Sequence, residues 1–406
     1  MKKILLFAAT TGYQVRVFAD AARAMNLDLV LATDHCHHLD NPWGDDAVAV
    51  RFNDASIGME ALAARGPFDG IAAVGDGPAV IAAQAAARLG LRFSPPDAVL
   101  AANNKFLAHE RFRRAGLNVA SYRMLPPDAG PEAESHATRY PCVLKPVSLS
   151  ASRGVIRADG PRQFVAALER IQKLLKREPE QSIQVEDFIP GRELALEGLV
   201  TDGRLQTLAL FDKPDPLDGP FFEETIYLTP SREPDAVQTS IIDATGRAVN
   251  ALGLAFGPVH AEIRVNSRGV WMLEVAARPI GGLCGQVLRF DGDVSLEEII
   301  LRHAMGEDVS RVKRMPGAHG VMMIPIPRAG VFTGVEGVDA ARRVPGIEDV
   351  VITAKEGQML LPLPEGASYA GFIFARGDSA DSADRALRAA HAQLHFQLST
   401  SLPVVR

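Results

Sequence analysis

The apolar positions of this chain fall into short runs whose spacing changes along the sequence. Residues 3–8 are apolar without alternation after the first lysine, which reads as a strand buried on both faces. Val15 to Met25 has helical spacing, and Leu27 to Ala32 and Ala47 to Arg51 read as further strands. Ile57 to Arg65 is a helix, Asp69 to Val74 a strand, and Pro78 to Leu89 an alanine-rich helix that stops at Gly90. Strands alternating with helices of this length predict βαβ units around a parallel sheet. Pro95-Pro96 closes this unit, so a first domain is expected over 1–96.

Asp97 to Ala115 then reads as one helix ending at Gly116, with Lys105 inside it. Beyond it the pattern changes to short strands arriving as hairpins: Val119–Leu125, Cys142–Val147, Gly154–Ala158, Ser182–Phe188, Glu193–Val200 and Leu205–Phe211. Two long helices, near Arg162–Arg177 and Pro234–Leu252, separate them. Strands and helices in segregated groups indicate an α+β domain, taken as 97–316, with a smaller subdomain at about 119–190. The last section, 317–406, has strand-like Val321–Ile326, Val350–Ala354 and Tyr369–Ala375 and a helix over Ser382–Leu394, and is expected to be a small α+β cap.

The chain has 406 residues, 47% apolar and 23% charged, with a net charge of −6. That is globular composition, and the acidic balance speaks against nucleic acid, whose phosphates demand a basic surface. Cys36, Cys142 and Cys284 are far apart and in no metal spacing, so each is expected to be a small buried hydrophobe in a reduced setting. The apolar start lacks a small-residue cleavage site, and Asp76, Gln84 and Arg88 interrupt the stretch Gly70–Gly90. A soluble cytoplasmic protein is expected.

Three pieces carry chemistry. In Cys142-Val-Leu-Lys145-Pro-Val-Ser148-Leu-Ser150-Ala-Ser152-Arg-Gly154, a lysine ends a buried strand ahead of a loop of small residues. Buried ammonium is costly unless it meets an anion, and small residues let backbone N–H groups approach a phosphate; a surface turn with a solvated lysine is the alternative. In Glu186-Asp187-Phe188-Ile189-Pro-Gly-Arg-Glu193, a strand breaks at Pro-Gly, leaving backbone groups for a flat base edge and a carboxylate for a ribose. The third piece is a hairpin, His260-Ala-Glu262-Ile-Arg264-Val-Asn-Ser-Arg-Gly269-Val-Trp-Met-Leu-Glu274-Val-Ala-Ala-Arg278-Pro-Ile-Gly281-Gly282. With a two-residue turn, Glu262 faces Leu273. With a three-residue turn and a bulge at Gly269, Glu262 faces Glu274, and two adjacent carboxylates call for a cation such as Mg²⁺ between them. Arg278, just past the strand, offers a fork for a phosphoryl or carboxylate oxygen.

In that order these pieces resemble the ATP-grasp superfamily, over nearly the whole chain. The resemblance implies an ATP-grasp fold, mixed α/β and α+β, with an N-terminal Rossmann-like domain and the C-terminal cap. It matches Lys105 and Lys145 to the nucleotide-binding lysines, and Ser148, Ser150, Ser152 and Gly154 to the loop over the phosphates. Glu186, Asp187, Phe188 and Ile189 match the adenine-reading linker, Glu193 the ribose acid, and Glu262 and Glu274 the metal ligands. Ala276 stands where the family commonly has a third ligand, asparagine. The Glu274-Val-Ala-Ala-Arg278-Pro-Ile-Gly-Gly282 version is similar to the L-amino acid ligase and carnosine synthase branch, where the arginine contacts phosphate and the substrate carboxyl. The implied activity is ATP-dependent ligation of a carboxylate to an amine through an acylphosphate, releasing ADP and phosphate, with ATP and Mg²⁺ (or Mn²⁺) as cofactors. Amino acids are the implied substrates, and no nucleic-acid or membrane partner is implied; the oligomeric state stays open, a homodimer included. Rival readings are a carboxylase-type enzyme using bicarbonate and a nucleotide-binding regulator without turnover. Ser148–Gly154 and Lys213–Glu224 are the candidate lids.

Weaker signals remain. Asp76, at a strand end facing the same cleft, is a candidate for a substrate ammonium or a helix cap, and His260 and the Gly281-Gly282 pair are candidate substrate contacts. Asp34-His-Cys-His-His38 is better read as a solvated loop than a zinc site.

Overall fold

The computed structural model describes residues 1–9, 12–34, 47–54, 56–177 and 181–399. The apolar runs of the first hundred residues form a four-stranded parallel sheet in the order Ala47–Ala49, Asp28–Thr33, Lys3–Ala8, Gly70–Val74. Ile4 to Ala8 are wholly buried because helices cover both faces of this sheet, as an unalternating run requires. Lys3–Ala8 has its sequence neighbour Asp28–Thr33 on one side and Gly70–Val74 on the other. The chain leaves these strands in opposite directions at that point and opens a crevice at their carboxyl ends. Gly12–Gln14 and Gly75–Pro78 line the crevice.

The expected helix over Asp97–Ala115 is two helices, Pro96–Ala102 and Lys105–Arg114. The Asn104 side chain accepts the Leu107 N–H and caps the second helix, which periodicity alone could not reveal. Lys105 is therefore the first residue of a helix rather than an interior one, and its own N–H is tied to the Val147 carbonyl. Asn104→Ala should cost about 1 kcal/mol in denaturant unfolding.

Tyr122–Leu125, Ile183–Asp187, Cys142–Pro146 and Ile156–Ala158 make a separate four-stranded sheet backed by Pro161–Leu174, with its own core around Phe164, Leu168 and Ile183. The largest sheet has eight antiparallel strands in the order Gly269–Ala276, Phe256–Asn266, Arg192–Thr201, Arg204–Asp212, Ile226–Thr229, Ala318–Ile324, Gly371–Gly377, Ile347–Ile352. Its last three strands are those expected of the C-terminal cap. They continue the central sheet through the pairing of Tyr227 with Val321, while Gly330–Glu336, Met359–Leu360 and His395–Ser399 form a small sheet of their own. Cys142 and Cys284 are buried and unbridged. Among the described residues no helix is long and apolar enough to cross a membrane. His35 to His38 lie outside the described residues.

Candidate active site

The acidic hairpin reaches the expected pairing by a different route. Its turn has two residues, Ser267 and Arg268, closed by Asn266 opposite Gly269. The register then runs true to Ile263 opposite Met272, and Glu262 faces Glu274 because Leu273 is the extra residue of a bulge. Placing the bulge at Gly269 was incorrect: a bulge anywhere between the turn and the glutamates restores the same pairing, since one extra residue reverses strand alternation. Glu262, Leu273 and Glu274 all line one cavity of about 460 Å³.

Next to Glu262 lies a cluster that the sequence did not single out. Lys213 follows strand Arg204–Asp212 directly, and its Nζ lies 2.9 Å from Glu193 Oε1 and 3.4 Å from Glu262 Oε1, with Glu224 in closer contact still. Its side chain is 3% exposed, so this residue is anchored, contrary to its expected place in a lid. Burial opposes the Lys213 charge, but Glu193, Glu224 and Glu262 hold it well above the usual lysine range. Burial would also raise Glu262, yet Lys213 and His260 hold that carboxyl well below its ordinary value. Glu224 goes the other way: burial pushes it up to about 7, against the pull of Lys213. The signal that flagged Lys145, a lysine ending a buried strand, was equally present at Lys213 after Leu208–Phe211.

At the other end of the cavity Lys145 Nζ meets Glu186 Oε1 at 2.7 Å, both side chains being buried. Gln184 Nε2 donates to the second oxygen of Glu186, and His109 Nε2 lies 3.4 Å from it. Burial pushes His109 down to about 4, so its ring is neutral and adds no competing charge. Lys105 Nζ donates to the Leu149 carbonyl at 2.5 Å and approaches Glu274 at 3.8 Å. Ser150, Ala151 and Ser152 line the cavity, as do Phe188 and Ile189. Ser148 and Gly154 do not: Ser148 is exposed, and Gly154 donates its N–H to the Pro364 carbonyl. Asp187 is also outside, because strand alternation turns it away from Glu186 toward Arg139 at 3.2 Å.

Glu193 has cations on both oxygens, Lys213 on one and Arg264 Nε at 2.9 Å on the other. A carboxylate has about four lone-pair sites, so this leaves room for a hydroxyl donor. Arg264 also donates to the Ile189 and Leu217 carbonyls and stacks over Phe188, tying the linker to the hairpin. Its partners lie 47 to 75 residues away in sequence, which no local pattern announces.

Arg278 holds Asp76 by two bonds, Nε to Oδ1 at 3.0 Å and Nη2 to Oδ2 at 3.3 Å. Asp76 opens helix Asp76–Leu89, so the crevice of the parallel sheet and the end of the acidic hairpin meet here. Burial would raise Asp76, but Arg278 holds it below the usual range. A ligand ammonium at Asp76 would therefore have to share it with Arg278. The loop after Arg278 is fixed by Glu197, wholly buried in strand Arg192–Thr201, which accepts the Ile280 N–H at 3.1 Å and meets His260 Nδ1 at 3.2 Å. Burial works against the imidazolium, but Glu197 and Glu262 raise His260 to about 9. Glu197 was legible as the one carboxyl in the apolar run Leu194–Val200. Gly281 and Gly282 line the same cavity.

The opposed carboxylates suit a hard divalent cation: Glu262 and Glu274 face each other across the hairpin, whereas the close trio Glu193, Glu224 and Glu262 already surrounds the Lys213 ammonium. Lysines, an arginine and backbone donors of a small-residue loop surround the same cavity, which is how a polyphosphate is held.

Comparison with known proteins agrees with this geometry. Residues 138–287 match the ATP-grasp domain model, and residues 322–399 match the model of L-amino acid ligase C-terminal domain 2. The chain thus carries an ATP-grasp domain followed by an L-amino acid ligase C-terminal domain. An L-amino acid ligase from Bacillus licheniformis has the same fold, with a TM-score of 0.84 at 23% identity over 98% of this chain and 99% of that one. An uncharacterized protein, y4rH, of Sinorhizobium fredii is 23% identical over 98% of this chain and 84% of its own length. An alanine–anticapsin ligase of Bacillus subtilis is 28% identical over 49% of this chain, and the match spans 46% of that ligase. The ATP-grasp match supports ATP use.

Proposed function

We propose that the protein is an ATP-dependent, ADP-forming carbon–nitrogen ligase that joins a small carboxylate, an amino acid, to an amine. The observation that carries this reading is the opposed pair Glu262 and Glu274 on a cavity that also presents Lys105, Lys145 and Arg278. Lys145, released from Glu186, and Lys105 would hold ATP phosphates, with backbone N–H groups of Ser150–Ser152 closing over them. Phe188, Ile189 and the backbone of the kinked linker form the adenine slot, and Glu193 meets the ribose. Glu262 and Glu274 would hold Mg²⁺, which when bound neutralises phosphate charge. In this reading 1–96 and 97–316 are working units, 317–406 shares the central sheet, and the enzyme acts in the cytoplasm.

The substrate carboxylate is already anionic, so its attack on the γ-phosphate needs alignment and charge neutralisation rather than a strong base. Arg278 orients that carboxylate beside the phosphate, and Asp76 and Glu197 keep the guanidinium and its loop in place. The resulting acylphosphate is attacked by the amine, and phosphate leaves as the amide forms. Water must be kept out between the two steps. Arg153 Nε and the Gly154 N–H, bonded to the carbonyls of Glu365 and Pro364, draw the loop down over the cavity.

The test is ADP and phosphate release with Mg²⁺-ATP over single and paired amino acids. Release should require a pair, with one ADP per amide formed. Release with bicarbonate and one amine would refute amide formation, and ATP binding with no turnover in any pairing would refute the ligase.

A further inference from the structure

The cavity changes character beyond Arg278. Tyr13, Tyr227, Cys284, Met323 and Tyr369 line it there, drawn from the crevice of the parallel sheet, the central sheet and the loop after Arg278. Phe372 joins three of them. Met323 faces Phe372 across the paired strands Ala318–Ile324 and Gly371–Gly377. The rings of Tyr13 and Tyr369 meet Phe372 edge-on at 5.3 and 6.0 Å. Gly282 is so close that a Cβ there would stand 2.8 Å from a Phe372 ring carbon and 3.7 Å from Cys284 Sγ.

Two of the three tyrosine hydroxyls on this wall are engaged. Tyr227 donates to Glu224 at 2.8 Å, and the Tyr13 hydroxyl accepts the Tyr369 N–H at 3.2 Å. Burial raises the Cys284 thiol, so it stays protonated. Glu224, the acid nearest the wall, already holds Lys213. Apart from the Tyr369 hydroxyl, what remains is ring faces, a thioether and a neutral thiol, a soft surface suited to apolar groups. Residues 278 to 284 run along one side of the cavity, so the Arg278 fork and the Cys284 wall are joined by a short, fixed loop.

We propose that this wall is the side-chain subsite for the carboxylate substrate and that it selects an α-amino acid with a large apolar side chain. The proposal rests on the ligase reading for the role of Arg278, but the subsite can be tested apart from turnover. One arm measures melting temperature of the full-length protein with Mg²⁺ and a non-hydrolysable ATP analogue. Leucine, methionine and phenylalanine should raise it more than glycine, aspartate or lysine. The second arm measures kinetics over the same panel.

Tyr369→Ala should raise KM for the apolar donor about 10-fold while leaving KM for ATP unchanged, as expected for lost pocket contact. Tyr369→Phe keeps the ring and should restore the parent value. Met323→Trp fills the subsite and should turn preference toward alanine or glycine. Turnover led by aspartate or lysine would overturn the subsite while leaving the ligase standing. Selective stabilisation by apolar amino acids without turnover would support the subsite and overturn the ligase. No selective stabilisation, or a KM change shared by ATP, would overturn the subsite outright.

Discussion

Arg278→Ala should slow ADP release by at least about 10³-fold while ATP binding persists, the loss seen when a guanidinium that neutralises a transferring phosphoryl group is removed. The structure shows why distance alone will not rescue it. Asp76 grips Arg278 at Nε and Nη2, fixing the plane of the fork, and the Pro279 carbonyl takes Nη1. Arg278→Lys keeps a charge but loses the planar fork, so it should recover little of the rate. Glu274→Ala should fall to the same floor by removing one of the opposed carboxylates. Steady-state ADP release and nucleotide binding, measured side by side on each variant, check this. An Arg278→Ala enzyme within tenfold of the parent would place Arg278 outside the reaction.

Lys213→Met should destabilise the fold by about 3–5 kcal/mol at neutral pH, because removing one partner leaves buried carboxylates without their cation. The pH dependence separates this from a simple packing defect. In the parent, Glu262 is held below its ordinary value, so its contribution is present above the unfolded carboxylate range and is lost as pH falls through the lower folded value. Lys213 is held above its ordinary value, so its contribution is present below the ordinary lysine range and is lost as pH rises through the higher folded value. Glu224 behaves oppositely to Glu262: with its folded value at about 7, stability from this group grows as pH falls from there toward the ordinary carboxylate range. Without Lys213, Glu262 should join Glu224 in this behaviour. The gap between parent and variant should therefore narrow on acidification from about pH 7.5 to about pH 5 in urea unfolding. A gap that stays constant would mean that Lys213 acts through packing alone.

How much of this was legible depends on whether a residue's neighbours in sequence are also its neighbours in space. Lys145 stood out because one strand and one loop, contiguous in the chain, set both its burial and its purpose. The Glu262–Glu274 pairing was legible as one of two registers of a single hairpin, although the bulge that selects it at Leu273 was not, because nothing in the local sequence tells a bulge at the turn from one inside the strand. The break at Asn104 was hidden by apolar spacing that runs through it. Lys213 carried the same strand-end signal as Lys145. It lacked an adjacent loop of small residues to give the charge a purpose, because its partners Glu193, Glu224 and Glu262 come from three other strands and turns.

Hydrophobic periodicity and turn chemistry by themselves determined the main strands and helices and the order of the three chemical pieces, since each is set within a short stretch of chain; the alternation of strand and helix then implied the parallel sheet. The tertiary structure alone decided which charges share a site. The Arg278–Asp76 grip spans 202 residues, the Glu197–Ile280 bond 83 and the Arg264–Ile189 bond 75. It also decided that the strands expected of a separate cap continue the central sheet and bring Met323, Phe372 and Tyr369 against the crevice of the first sheet. Long-range pairing of buried charge is set by the packing of whole sheets, and sequence spacing carries no measure of that distance.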